Sequence, residues 1–83
     1  MKYKFPQFNV EIVDPTITVD ANSISVHALR NEISLSVTLQ TTNSKLYGVL
    51  LENIPVTNLN YEGEANLMTR ALEGLAQYEV ETP

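Results

Sequence analysis

Hydrophobic and polar residues alternate without a break from Glu32 to Gln40, and this stretch organises the prediction for the whole chain. Side chains on a β-strand point alternately to opposite faces, so the alternation predicts a central strand with one buried face and one solvated face. The apolar set is Ile33, Leu35, Val37 and Leu39, and the polar set is Glu32, Ser34, Ser36, Thr38 and Gln40.

The stretch before the central strand predicts further strands, beginning at about residue 7. Pro6 lacks an amide hydrogen, so residues 3–5 fit at most a short edge strand that stops before it. Alternation then runs from Gln7 to Val13 and breaks at the Asp14-Pro15 turn signal. Residues 16–29 hold two β-prone pieces around a turn-rich sequence, and they fit either a hairpin or one long strand with a bulge.

The stretch after the central strand predicts a hairpin partner over Lys45 to Ile54. Four polar residues, 41–44, precede it and form a loop of typical hairpin length. The partner strand is apolar on both faces, which predicts that both faces are covered. Gly48 inside it predicts a bulge or the close approach of another backbone.

The hydrophobic period changes from two to about 3.6 after residue 63, which predicts one amphipathic helix over about residues 64–78. Gly74 lies inside this helix and costs about 1 kcal/mol relative to alanine, which indicates close packing or early fraying. Residues 79–83 are expected to form a frayed tail. The apolar stripe consists of Leu67, Met68, Ala71, Leu72, Leu75, Ala76 and Tyr78.

Strands followed by a helix predict an α+β fold. We expect one domain over residues 1–83, in which four to five strands form a mostly antiparallel β-meander. The C-terminal amphipathic helix should pack on one face of that sheet, because its apolar stripe needs a matching apolar surface. A hydrophobic content of 43% supports a folded rather than a disordered chain.

Composition narrows the environment of the protein. The chain has no cysteine, which excludes a disulfide scaffold and a thiolate metal site and fits a reducing compartment. Residues 1–7 carry two lysines, but no apolar segment of about 7–15 residues follows, so no secretory signal is expected. No apolar run of about 18 residues predicts a membrane span. We therefore expect a cytoplasmic protein without a membrane partner.

The charge argues against nucleic acid as a partner. The net charge is −5, from ten acidic and five basic residues, whereas nucleic-acid-binding domains usually carry a clustered basic face. The acidity is concentrated after residue 61, where five glutamates accompany one arginine. A Glu-rich helix of this kind suggests a second hypothesis, an acidic inhibitor or adaptor that docks on a basic protein surface.

Residues for catalysis or metal binding are sparse. His27 is the only histidine and shares its region with no second nitrogen or sulfur ligand. Asp14 and Asp20 lie in turn sequences, where aspartate is favoured for local backbone hydrogen bonding. The three glycines are too dispersed for a phosphate-binding loop. We expect no catalytic residues, no cofactor and no metal, and hence no enzyme.

The polar face of the central strand is small, hydroxyl-rich and nearly uncharged. Such a face either lies in the middle of a sheet or receives a partner, because exposed edge strands usually carry lysine, proline or bulges. We expect a non-catalytic structural or protein-interaction module that self-associates or joins a larger assembly. A short acidic chain without motifs also suits an accessory or virion protein of a phage or mobile element. The predicted interaction face is Ser34, Ser36, Thr38 and Gln40.

Overall fold

The structure, a computed structural model, describes residues 1–80 and contains two three-stranded antiparallel sheets and one α-helix. The elements are β1 (Lys2–Phe5), β2 (Val10–Val13), β3 (Thr16–His27), β4 (Glu32–Gln40), β5 (Lys45–Pro55), α1 (Glu64–Leu75) and β6 (Glu79–Val80). The α+β class is confirmed. The expected single sheet of four to five strands is only partly matched, because the strands divide into two sheets, of order β3-β4-β5 and β2-β1-β6.

The larger sheet is an antiparallel meander with β4 at its centre. Its hairpin loop is closed by the amide of Thr41, which donates to the carbonyl of Ser44 at 2.8 Å. The apolar residues of β4 are almost completely inaccessible to solvent, so the predicted buried face is confirmed. These residues are Ile33, Leu35, Val37 and Leu39.

Residues 16–27 form one strand interrupted by a large bulge, so of the two possibilities left open by the sequence, the single strand is correct. Asp20 lies opposite Ser36 and Ser25 opposite Ser34, so residues 21–24 face a single residue of β4. Side chains hold the bulge in place. The Asp20 carboxylate accepts from the amide of Asn22 at 3.0 Å, and the Ser23 hydroxyl accepts from the amide of Ser36 at 2.7 Å.

The strand β5 contains two irregularities in its pairing with β4. One lies at Gly48, whose φ of 60° is in the left-handed region, so the predicted bulge is confirmed. The other lies near Asn53, which also has a φ of 60°. Asparagine tolerates this conformation better than most residues. Both bulges twist an edge strand of the larger sheet.

The smaller sheet differs most from the structure expected from the sequence. β1 begins at Lys2, earlier than the expected start near residue 7, and is central because it pairs with both β2 and β6. It ends at Phe5, so the missing amide of Pro6 lies outside the ladder. Glu79 and Val80 pair with Tyr3 and Lys2, which corrects the expected tail at these two positions. Residues 81–83 of that tail lie outside the described residues.

Two residues of the smaller sheet, Tyr3 and Glu11, have pKa values shifted by their surroundings. Burial raises the pKa of the Tyr3 phenol, and the negative charge of Glu79, its cross-strand neighbour, raises it further. A hydrogen bond from Lys2 lowers the pKa of the exposed Glu11 carboxyl, assisted by the lysine charge. The Lys2 Nζ and Glu11 Oε2 atoms are 3.0 Å apart. These contacts join β1 to both of its neighbours.

The helix and the smaller sheet share one core with the larger sheet. α1 contacts β5 and β3, and a 3-10 turn over Ala76–Tyr78 continues it, so the two together cover the predicted helical range. Tyr3, Phe5 and Ile12 of the smaller sheet join the same buried cluster. We call the face of the larger sheet that carries the β4 part of this cluster its inner face. Within residues 1–80, no helix has the length and apolar character needed to cross a bilayer.

Candidate interaction surface

The face of the larger sheet opposite its inner face is here called the outer face. It carries the predicted interaction residues at its centre, with neighbours from β3 and β5 on either side. Its residues are Thr18, Asp20, Ser34, Ser36, Thr38, Gln40, Lys45, Tyr47 and Leu50.

The predicted interaction residues differ in their accessibility. Ser34 is only 8% exposed, Ser36 and Thr38 are half-buried, and Gln40 is exposed. Small side chains in the middle of a sheet are shielded by their neighbours on both adjoining strands. A docking partner would therefore touch the hydroxyls of Ser36 and Thr38 together with the larger residues beside them. The role of these residues in interaction stays a prediction.

Two larger residues beside this polar stripe are exposed, Tyr47 by 71% and Leu50 by 51%. Leu50 lies directly opposite Ser36, and Tyr47 belongs to the bulge that faces Thr38. The expectation that both faces of β5 are covered is therefore wrong. Apolar residues at consecutive positions of a strand show that each face carries hydrophobic side chains, but they do not show what lies against each face.

The charges on the outer face lie at its margins. Asp20 lies on the edge strand β3, and Lys45 begins the opposite edge strand β5. The Lys45 Nζ atom lies 4.6 Å from the centre of the Tyr47 ring, which is a cation–π contact between two exposed side chains. The centre offers hydroxyl donors and acceptors next to an apolar strip. This combination suits a protein surface better than a phosphate or a metal ion.

His27 lies away from the outer-face centre, at the end of β3. It faces Glu32 across the ladder and lines a cleft of about 420 Å³ together with Tyr61. Glu32 is engaged by Arg30, with 3.3 Å between Nε and Oε1. In the part of the chain that the structure describes, no three histidine, cysteine or acidic residues come together to hold a metal ion.

A strained turn lies at the rim of the same cleft. Asn58 and Leu59 have φ values of 52° and 60°, and the amide of Asn60 donates to the carbonyl of Thr57 at 3.1 Å. Positive φ at both central residues is the mark of a type I′ turn, which favours asparagine followed by glycine. Leucine in this conformation is strained by about 1–2 kcal/mol.

We expect Leu59→Gly to raise the free energy of unfolding by about 0.5–1 kcal/mol. Glycine removes the left-handed strain, and its greater freedom in the unfolded chain offsets part of the gain. Little burial is lost, because Leu59 is 58% exposed. Urea denaturation followed by circular dichroism measures the change.

The control for this change is Leu29→Gly. Leu29 is a fully exposed leucine in a 3-10 turn without positive φ, so glycine there should give no stabilisation. Equal responses at positions 29 and 59 would contradict the assignment of strain to Leu59.

The acidic helix offers a weaker docking surface than its sequence suggests. Glu73 is paired with Arg70, with 2.7 Å between Oε1 and Nε. Glu64 lies in the first turn of α1, where the helix dipole favours a negative charge. Two of the glutamates therefore have local roles within the helix. This arrangement does not favour the hypothesis of an acidic inhibitor.

Comparison with known proteins adds no relative from which a function could be transferred. No family model, curated protein or solved structure matches it.

Proposed function

We propose that this chain is a non-catalytic structural or protein-interaction module that docks through its outer face on another protein molecule, a second copy of the chain included. The observation that carries the proposal is the exposure of Tyr47 and Leu50 beside the half-buried Ser36 and Thr38. Tyrosine is enriched where protein surfaces meet, because its ring supplies apolar area and its hydroxyl a hydrogen bond.

The chemistry of the outer face indicates what kind of partner it fits. An apolar strip next to uncharged hydroxyls matches a surface that is also apolar and weakly charged. Asp20 and Lys45 at opposite margins add charges of both signs, which favours one orientation of the partner. A chain with a net charge of −5 is poorly suited to a polyanion. We infer a role as one component of a larger protein assembly.

The surroundings of His27 support the non-catalytic part of the proposal. A general base needs an orienting partner that holds the imidazole in one state. The carboxylate that faces His27 belongs to Glu32, which already pairs with Arg30. We therefore assign His27 no step of a reaction.

We expect the wild-type protein to form a dimer or a larger species at micromolar concentration, and Leu50→Glu to weaken that association at least about tenfold. A carboxylate placed in the apolar strip would lose water in the interface without gaining a partner. Sedimentation equilibrium measures the association constants of both proteins.

The matched control is Leu72→Glu, because Leu72 is a similarly exposed leucine on the helix. It makes the same change in charge and should leave association as in the wild type. If the two variants associate equally well, the outer face is not the docking surface.

A further inference from the structure

The edge of β3 that does not pair with β4 carries backbone groups that have no partner within the described residues. The amide of Ser36 points toward β3, since it donates to Ser23 on that strand. Hydrogen-bonding direction alternates along a strand of an antiparallel sheet. The backbone amides and carbonyls of the even-numbered residues of β4 therefore point toward β3, and those of Thr18 in β3 point toward β4 in return. The amides and carbonyls of Ile17 and Val19 consequently point away from the sheet.

Two observations at the other side of β4 confirm this alternation. The amide of Val56 donates to the carbonyl of Asn31 at 2.9 Å. Asn31 directly precedes β4, so the carbonyl of an odd-numbered residue points toward the β5 side. Pro55, which has no amide hydrogen, lies opposite the even-numbered Glu32. Proline fits there because that pair exchanges no hydrogen bonds. No side-chain or loop hydrogen bond among residues 1–80 reaches Ile17 or Val19.

The two edges of the larger sheet differ in how they are protected. The edge strand β5 carries bulges near Gly48 and Asn53, and it starts with Lys45. Bulges and lysines discourage pairing with another strand. On β3 the pairing with β4 is regular from Thr16 to Asp20, and the large bulge follows at residues 21–24. Four of these five residues are β-branched and uncharged.

We propose that residues 16–20 of β3 pair with the same segment of a second copy of this chain, antiparallel, about a two-fold axis at Thr18. The inference deepens the proposed function, on which it rests, by naming the partner at this edge. The two sheets would become one sheet of six strands, with their outer faces continuous.

The segment is complementary to itself in this register. Ile17 lies opposite Val19 of the second copy, and both have outward backbone groups, so each such pair exchanges two hydrogen bonds. Thr18 meets its own copy in a pair without hydrogen bonds, where side chains come closest and threonines interact favourably. Asp20 lies opposite Thr16 of the second copy. No two like charges face each other along the segment.

The occupant is a second copy because the charge pattern fits this register. Asp20 is the only acidic or basic residue of the paired segment 16–20, and the two-fold axis separates the two aspartates by about four residues, or about 13 Å. Pro15 at one end and the bulge at the other limit the pairing to residues 16–20.

The test compares two threonine-to-lysine substitutions that change the net charge equally. Both are made in the Leu50→Glu background, so that outer-face docking is removed and edge pairing is measured by itself. Thr18→Lys places two ammonium groups opposite each other at the axis and should weaken dimerisation at least about threefold. Thr16→Lys places a cation opposite Asp20 twice per dimer and should strengthen dimerisation by about 2- to 30-fold. Sedimentation equilibrium gives both constants.

A cysteine substitution tests the register directly, since the chain has no cysteine of its own. In Thr18→Cys the two Cα atoms would be about 4.5 Å apart, which a disulfide can bridge. In Thr16→Cys they would be about 13 Å apart, which it cannot. With diamide as oxidant, Thr18→Cys should form covalent dimers and Thr16→Cys should not. Thr16 and Thr18 are exposed, so circular dichroism should show both variants folded.

The outcomes separate this inference from the proposed function. Opposite shifts at positions 16 and 18, together with cross-linking at position 18, support edge pairing. Equal shifts at the two positions, or equal cross-linking of the two cysteine variants, overturn it. A protein that loses all association with Leu50→Glu and fails to cross-link at position 18 also overturns edge pairing, while docking through the outer face stands.

Discussion

Phe5→Ala should lower the free energy of unfolding by about 3–5 kcal/mol, the usual cost of removing a buried phenylalanine side chain. Phe5 is completely buried in the central strand of the smaller sheet. Its ring centre lies 4.8 Å from that of Tyr78, which follows α1, so the substitution also removes an aromatic contact. A chain of 83 residues typically has a total stability of about 4–12 kcal/mol. At the lower end of this range, the loss should leave a substantial unfolded population.

Urea denaturation of Phe5→Ala and Phe8→Ala measures this effect against a matched control. Phe8 lies 6.4 Å from the Phe5 ring but is half-exposed, so its truncation should cost less than about 1 kcal/mol. Fluorescence of the tyrosines and circular dichroism should report one transition. Similar stabilities for the two variants would show that the smaller sheet is not part of the cooperative core.

The sequence predicts the buried face of β4 because local alternation alone specifies it. A shift of one residue would bring the serines into the core and expose four aliphatic side chains, so only one register is stable. The bulge at Gly48 is predictable for a similar local reason, because glycine adopts positive φ without strain. Features that depend on one residue or on its nearest neighbours in the chain can be predicted in this way.

The smaller sheet is not predictable by the same argument. Lys2 and Tyr3 pair with Val80 and Glu79, at the opposite end of the described chain. Alternation indicates which faces are buried, but it carries no information about which distant strands pair. The two-residue strand β6 is also too short to show a period. The division of the strands into two sheets therefore appears only in three dimensions.

The candidate interaction surface is predictable only in part. The alternation of β4 gives Ser34, Ser36 and Thr38 a common face, and the structure places them on one face. Tyr47 and Leu50 cannot be identified as exposed from sequence, because their hydrophobicity is equally typical of a covered face. The bulge in β3 also alters the surroundings of the predicted stripe, since its Ser23 hydroxyl bonds to the backbone at Ser36.

Gly74 illustrates a choice that the sequence leaves open and the structure settles. The residue is buried in α1. A Cβ atom there would lie 3.0 Å from Ile54 Cδ1 and 3.1 Å from Leu51 Cβ, closer than ordinary van der Waals contact. Ile54 and Leu51 are themselves buried, so neither moves away freely. The glycine is therefore explained by close helix-to-strand packing and not by fraying.

We expect Gly74→Val to lower the free energy of unfolding by about 2–3 kcal/mol, at the upper end of the usual cost of overpacking a core. Gly74→Ala should stay within about 1 kcal/mol of the wild type, because the gain in helix propensity offsets the tight contact of one methyl group. Urea denaturation of both variants tests the order of stabilities.

A parallel series at Thr69 separates packing from helix propensity. Thr69 lies in the same helix but is exposed, so glycine, alanine and valine at this position report propensity alone. Propensity ranks alanine above valine and valine above glycine. At position 74, glycine should instead be more stable than valine. If valine exceeds glycine at both positions, α1 can move away from β5 at little cost, and close packing does not explain Gly74.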